Sequence, residues 1–115
     1  MQRVVIWHNP RCSKSRNGLK YLEEKGVDFD IYRYLDEGPD REEITEILRK
    51  LGMSARELMR TKEKIYRELK LGEVDDEEKL IEAMVSHPRL IERPIVVVGE
   101  KAVVARPETS IDELL

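Results

Sequence analysis

A chain of 115 residues with 40% hydrophobic and 39% charged residues is long enough to bury one core without disulfides or metals as staples, and its acids and bases interleave rather than forming one-sign tails. The net charge of −3 gives no electrostatic footprint for nucleic acid, no apolar run approaches the ~20 residues that span a bilayer, and the N-terminal residues lack the apolar stretch of a secretory signal. A single soluble domain in the cytoplasm, with neither nucleic acid nor membrane as partner, is the expectation.

Residues 3–7 (RVVIW) are a β-branched and aromatic run suited to a buried strand, and Asn9-Pro10 signals the loop after it. From Ser13 or Ser15, the spacing of Leu19, Tyr21 and Leu22 before Lys25-Gly26 predicts an amphipathic helix with a glycine stop. A second strand is expected over residues 29–34, completing a β-loop-α-β unit of the length a parallel crossover needs.

The middle reads as helical. Asp40 can cap REEITEILRKLG with Glu43 at the third helical position, Ile44, Ile47, Leu48 and Leu51 have helical spacing, and Gly52 ends the run. Ser54 opens a short helix in SARELMR, KEKIYRELK predicts a third, and DDEEKLIEAMVS a fourth that stops before His87-Pro88. Residues 94–98 (PIVVV) suit a buried strand, Gly99-Glu100 a turn, and residues 102–105 (AVVA) its hairpin partner; a short helix over residues 110–115 follows. The order β-α-β, helices, β-β-α implies an α/β fold: a four-stranded mixed sheet with helices on both faces, arranged as in thioredoxin, with a helical insertion over about residues 40–88.

The chemistry gathers in VVIWHNPRCSKSR, which contains the one cysteine of the chain. A single thiol cannot form an internal disulfide, so a redox cycle at Cys12 must borrow its second sulfur from another molecule. Cys12 falls where strand gives way to helix, so first-turn N–H groups can point at its sulfur, and Arg11, Lys14 and Arg16 are close in sequence. These features favour the nucleophilic thiolate, and the same amides and cations, with Asn9 and Ser13, would hold a tetrahedral oxyanion. A cysteine phosphatase needs Cys-x5-Arg, but position 18 is Gly18; a dithiol oxidoreductase needs Cys-x-x-Cys, but Ser15 takes the second cysteine's place. His87 at a helix end reads as a cap, two histidines and one cysteine without ligand spacing argue against a metal site, and Met53, Met59 and Met84 read as core.

HNPRCSKSR, ELMR ending at Arg60, ERPIVVV from Glu92, and ARPE around Arg106 together resemble the glutaredoxin-dependent arsenate reductase family, which has a thioredoxin-like fold; the likeness runs through essentially the whole chain. The resemblance implies that Cys12 is the nucleophile toward arsenate, that His8 supports the thiolate, and that the Ser15 hydroxyl hydrogen-bonds the sulfur. It makes Arg60, Arg93 and Arg106 the arginines that bind the oxyanion, and Arg93-Pro94 a cis bond facing the cysteine. Glutathione and glutaredoxin are the implied thiol donors, with no bound cofactor or metal. Two further readings of the same chain are a glutathione-dependent thiol oxidoreductase of unknown substrate and a regulatory binding module like the Spx proteins; Ser15 removes the Cys-x-x-Cys switch that such regulators use.

Overall fold

The computed structural model describes residues 3–115 and builds one sheet from β1 (Val4–Trp7), β2 (Phe29–Tyr32), β3 (Ile95–Val98) and β4 (Lys101–Val104), in the spatial order β2-β1-β3-β4. β1 pairs in parallel with β2, from Val4 opposite Phe29 to Trp7 opposite Tyr32, and antiparallel with β3, from Val4 opposite Val98 to Trp7 opposite Ile95. β3 and β4 form the antiparallel hairpin. The crossover between β1 and β2 is α1 (Ser13–Glu24), and Gly26 follows it at φ +69, a left-handed conformation that glycine adopts without penalty.

Strand alternation sorts the side chains. Val4, Ile6 and Val96 share a buried cluster with Leu22 of α1, Ala105, and Ile111 of the 3₁₀ helix Glu108–Leu114. Burying an aliphatic side chain of this kind contributes ~1.5–3 kcal/mol, so the cluster fixes α1 on that face. Trp7 points the opposite way, its ring meeting Tyr32 edge-on at 5.0 Å and lying tilted 5.8 Å from Tyr34.

Two compact units are distinguishable within the chain: the first runs to Glu37 and resumes over Arg93–Leu115, and the second is Gly38–Glu92. The second holds α3 (Arg41–Leu51), α4 (Ala55–Leu58), α5 (Lys64–Glu68) and α6 (Glu77–Ser86). Asp40 caps α3 reciprocally with Glu43, Ser54 caps α4 with Glu57, and Gly52 closes α3 in a left-handed conformation. α3 and α6 pack together and bury Ile44, Ile47, Leu48, Leu80, Ile81 and Met84. Arg56 secures the stretch after α5: its guanidinium reaches the Tyr66 hydroxyl at 2.6 Å and the carbonyls of Leu71 and Val74.

Three expectations change. The second strand ends at Tyr32, not at residue 34: its pairing with β1 closes with the His8 N–H on the Tyr32 carbonyl at 2.9 Å, and Tyr34–Glu37 is instead a short helix, α2, whose Glu37 carboxylate accepts the Arg33 N–H at 3.3 Å. Short 3₁₀ turns at Leu71–Glu73 and Pro88–Leu90 add to the helical middle. The last helix is 3₁₀ and begins at Glu108, just after the cis bond Arg106-Pro107. Among the described residues, no helix is long and apolar enough to cross a membrane.

Candidate active site

Cys12 is the N-cap of α1, in extended conformation, with no acidic side chain in the first helical turn. The turn before it is built by Asn9: its carbonyl accepts the Cys12 N–H at 3.0 Å, its Oδ1 accepts the Arg11 N–H at 3.0 Å, and its own N–H donates to Ser15 Oγ at 2.9 Å. Ser15 is fully buried, and its hydroxyl also lies 2.9 Å from Nδ1 of the buried His8. Asn9, Ser15 and His8 therefore lock the loop to the first turn of α1. With its imidazole neutral, His8 can accept the hydroxyl proton at Nδ1 while Ser15 Oγ accepts from Asn9.

Part of the site is assembled from the far end of the chain. Arg93-Pro94 is cis, as the resemblance implied, and precedes β3 directly. Arg93 acts on the Cys12 sulfur through its charge and its hydrogen bonding, both of which lower the thiol pKa, and Arg106 brings Nη2 to 3.9 Å from the sulfur while its Nε donates to the Arg93 carbonyl at 2.7 Å. Pro94 is held in turn, its carbonyl accepting the Ala105 N–H at 2.8 Å. One sulfur thus faces two guanidinium groups and the N-terminal amides of a helix, a set of donors suited to an oxyanion and to a thiolate alike.

The half-buried sulfur feels opposing effects. Burial pushes the thiol pKa up; the Ser15 N–H, the Arg93 charge, the Lys14 N–H and the Arg93 hydrogen bond outweigh it and leave the pKa below its ordinary value. The activating cation is therefore Arg93 and not its sequence neighbours. Arg11 is exposed, and Arg16 turns its guanidinium onto the Pro10 carbonyl at 3.0 Å. Lys14 contributes its backbone N–H, its side chain being exposed, and Ser13 opens the helix at the surface. The Ser15 hydroxyl, expected on the sulfur, is spent on His8 and Asn9; what Ser15 gives Cys12 is its main-chain N–H. His8 has its pKa lowered by burial and by the Arg33 charge, against the upward pull of its hydrogen bond to Ser15.

Arg60 belongs to the other compact unit. Its main-chain N–H donates to the Leu90 carbonyl at 2.7 Å beside the bridge between Met59 and Ile91. Its guanidinium is flanked by two carboxylates, Glu63 at 2.7 Å from Nη1 and Glu92 at 3.6 Å from Nε. Among the described residues, no three His, Cys, Asp or Glu side chains come together in a way that could hold a metal ion.

The model of the ArsC family matches residues 7–114. The chain is 46% identical over 117 residues to an arsenate reductase of Neisseria meningitidis, with 100% of each covered. It is 48% identical over 116 residues to the uncharacterized protein YfgD of Escherichia coli, covering 99% of this chain and 98% of that one. Among solved structures it is similar to an arsenate reductase from Vibrio cholerae, with a TM-score of 0.96 and 43% identity across 99% of this chain and 98% of that one.

Proposed function

The chain belongs to the ArsC family, and from that membership we propose that it reduces arsenate to arsenite at Cys12, using glutathione and glutaredoxin as external thiol donors. The observation that carries this reading is the meeting of Cys12, Arg93 and Arg106 at the start of α1: a thiol with a lowered pKa beside two guanidinium groups that suit a tetrahedral anion. Arg106 and Arg93 bind the arsenate oxygens, and the first-turn amides share the charge. Arg60 occupies the family's third arginine position.

The Cys12 thiolate attacks arsenic, forming an S–As bond as one oxygen leaves as water after protonation. A glutathione thiolate then attacks the Cys12 sulfur. An S–S bond forms, the electron pair of the S–As bond passes to arsenic, and As(V) becomes As(III), released as arsenite. A glutaredoxin thiol takes over the glutathione sulfur and returns Cys12 as thiolate. Two thiols are oxidised to one disulfide for each arsenate reduced, which suits a chain whose one cysteine has no partner of its own. Arsenate incubated with purified protein, glutathione and glutaredoxin should yield arsenite, and Cys12→Ser should abolish the yield. A folded protein with a reactive Cys12 that produces no arsenite would overturn the substrate while leaving the thiol chemistry.

A further inference from the structure

Ser15, Gly18 and Leu22 form the buried stripe of α1. Ser15 anchors the loop and Leu22 enters the core, whereas Gly18 offers no side chain to either. The Gly18 backbone is helical, so conformation does not demand glycine, and alanine is the better residue at an open helical position. Space does demand it. A Cβ at position 18 would lie 2.9 Å from Cγ of Pro94 and 3.5 Å from Cδ1 of Ile6. The first distance is below contact, and the Pro94 ring can change its pucker but cannot swing clear, because its Cβ also lies 3.6 Å from the added carbon and the Pro94 carbonyl is fixed by Ala105.

We propose that Gly18 is a positioning residue for the thiol site: its missing side chain lets Pro94 lie directly against α1, and that contact sets where the Arg93 side chain stands relative to Cys12. Pro94 follows Arg93 immediately, and Cys12 caps the helix that carries Gly18, so a displacement at the Gly18–Pro94 contact must change the spacing between guanidinium and sulfur. The glycine that breaks the Cys-x5-Arg pattern thus has a use of its own in this fold. The inference rests on Cys12 being an activated thiol.

The test is pH-dependent alkylation of Cys12 in Gly18→Ala. Its thiol pKa should rise by about half a unit, roughly a threefold loss of thiolate at pH values below it. Asn17→Ala, at the exposed neighbour on the same helix, should leave the pKa unchanged. In an Arg93→Ala background, Gly18→Ala should add no further rise, which separates positioning of Arg93 from general loosening of the helix. If Gly18→Ala does not fold, the double variant with Pro94→Ala removes the carbon that the new methyl would strike. Recovery of folded protein with a raised thiol pKa supports the proposal, and failure to recover overturns it. A pKa that Gly18→Ala leaves unmoved, or moves equally without Arg93, overturns the role of Gly18 alone. A wild-type pKa at the free-thiol value overturns the activated thiol itself.

Discussion

Arg106 donates from Nε to the carbonyl of Arg93 at 2.7 Å, and so ties together the two arginines that approach the Cys12 sulfur. The two should nonetheless differ in effect. Arg93→Ala should raise the Cys12 pKa by about one unit, the scale of an opposite charge within contact distance. Arg106 is exposed and its charge is screened, so Arg106→Ala should move the pKa less while weakening anion binding. Alkylation rates against pH, with and without arsenate as protectant, separate the two effects.

Arg60 should behave in the opposite sense. Its guanidinium is engaged by Glu63 and Glu92, and it is absent from the groups that lower the Cys12 pKa. Arg60→Ala should leave the part-buried Glu63 and Glu92 carboxylates without their cation and cost about 1 kcal/mol, while leaving the thiol pKa where it was. Urea denaturation beside alkylation of the same variant makes the comparison.

Ser15→Ala removes the hydroxyl that accepts from Asn9 and meets His8, leaving buried polar groups without their partner. A cost of ~1–3 kcal/mol is expected in urea denaturation. The thiol pKa should shift little in this variant, because the Ser15 N–H that reaches the sulfur is retained.

His8 supplies a pH dependence of known sign. Its folded-state pKa lies below its ordinary value, so as pH falls through about 6.5 the unfolded chain binds a proton that the folded chain refuses. The stability contributed by neutral His8 is complete above that pH, declines as pH falls toward the lower folded-state pKa, and levels off beneath it. The carboxylates Asp30, Glu46, Glu57 and Asp112, whose pKa values are also lowered, act in a separate window below pH ~4. His8→Gln should flatten the melting temperature between pH 7 and 5 and leave the more acidic window intact.

Asp40→Ala should cost about 1 kcal/mol by removing the α3 cap, with no change at Cys12. Chemical denaturation and thiol alkylation of the one variant report both quantities.

Features written in a few adjacent residues were legible. Asp40 with Glu43, Ser54 at the start of its helix, and Gly52 after Leu51 each carry a signal within a few positions, and the structure adds Glu57 as the reciprocal partner of Ser54. The four strands were legible from β-branched runs, and the cis Arg93-Pro94 bond from the family likeness. Relations that depend on chain segments meeting in space were not. Arg93 outranks the nearer Arg11 and Arg16 as the cation at the sulfur because β3 begins beside the α1 N-terminus. The Ser15 hydroxyl turns to His8 and Asn9 because both lie on the loop that the helix start must hold. Tyr34 read as strand because alternation alone does not reveal where pairing with the neighbouring strand closes. Gly18 gave no signal beyond breaking a motif, since the ring it accommodates lies far along the chain.

Reactivity at this site depends on Cys12 being held as a thiolate by the Ser15 and Lys14 amides and Arg93. Its thiol pKa, from the rate of iodoacetamide alkylation against pH, tests that most directly. The expected value lies clearly below about 8.5, the ordinary free thiol, and rises in Arg93→Ala. A wild-type value at or above that figure, unchanged by removal of Arg93, would contradict it.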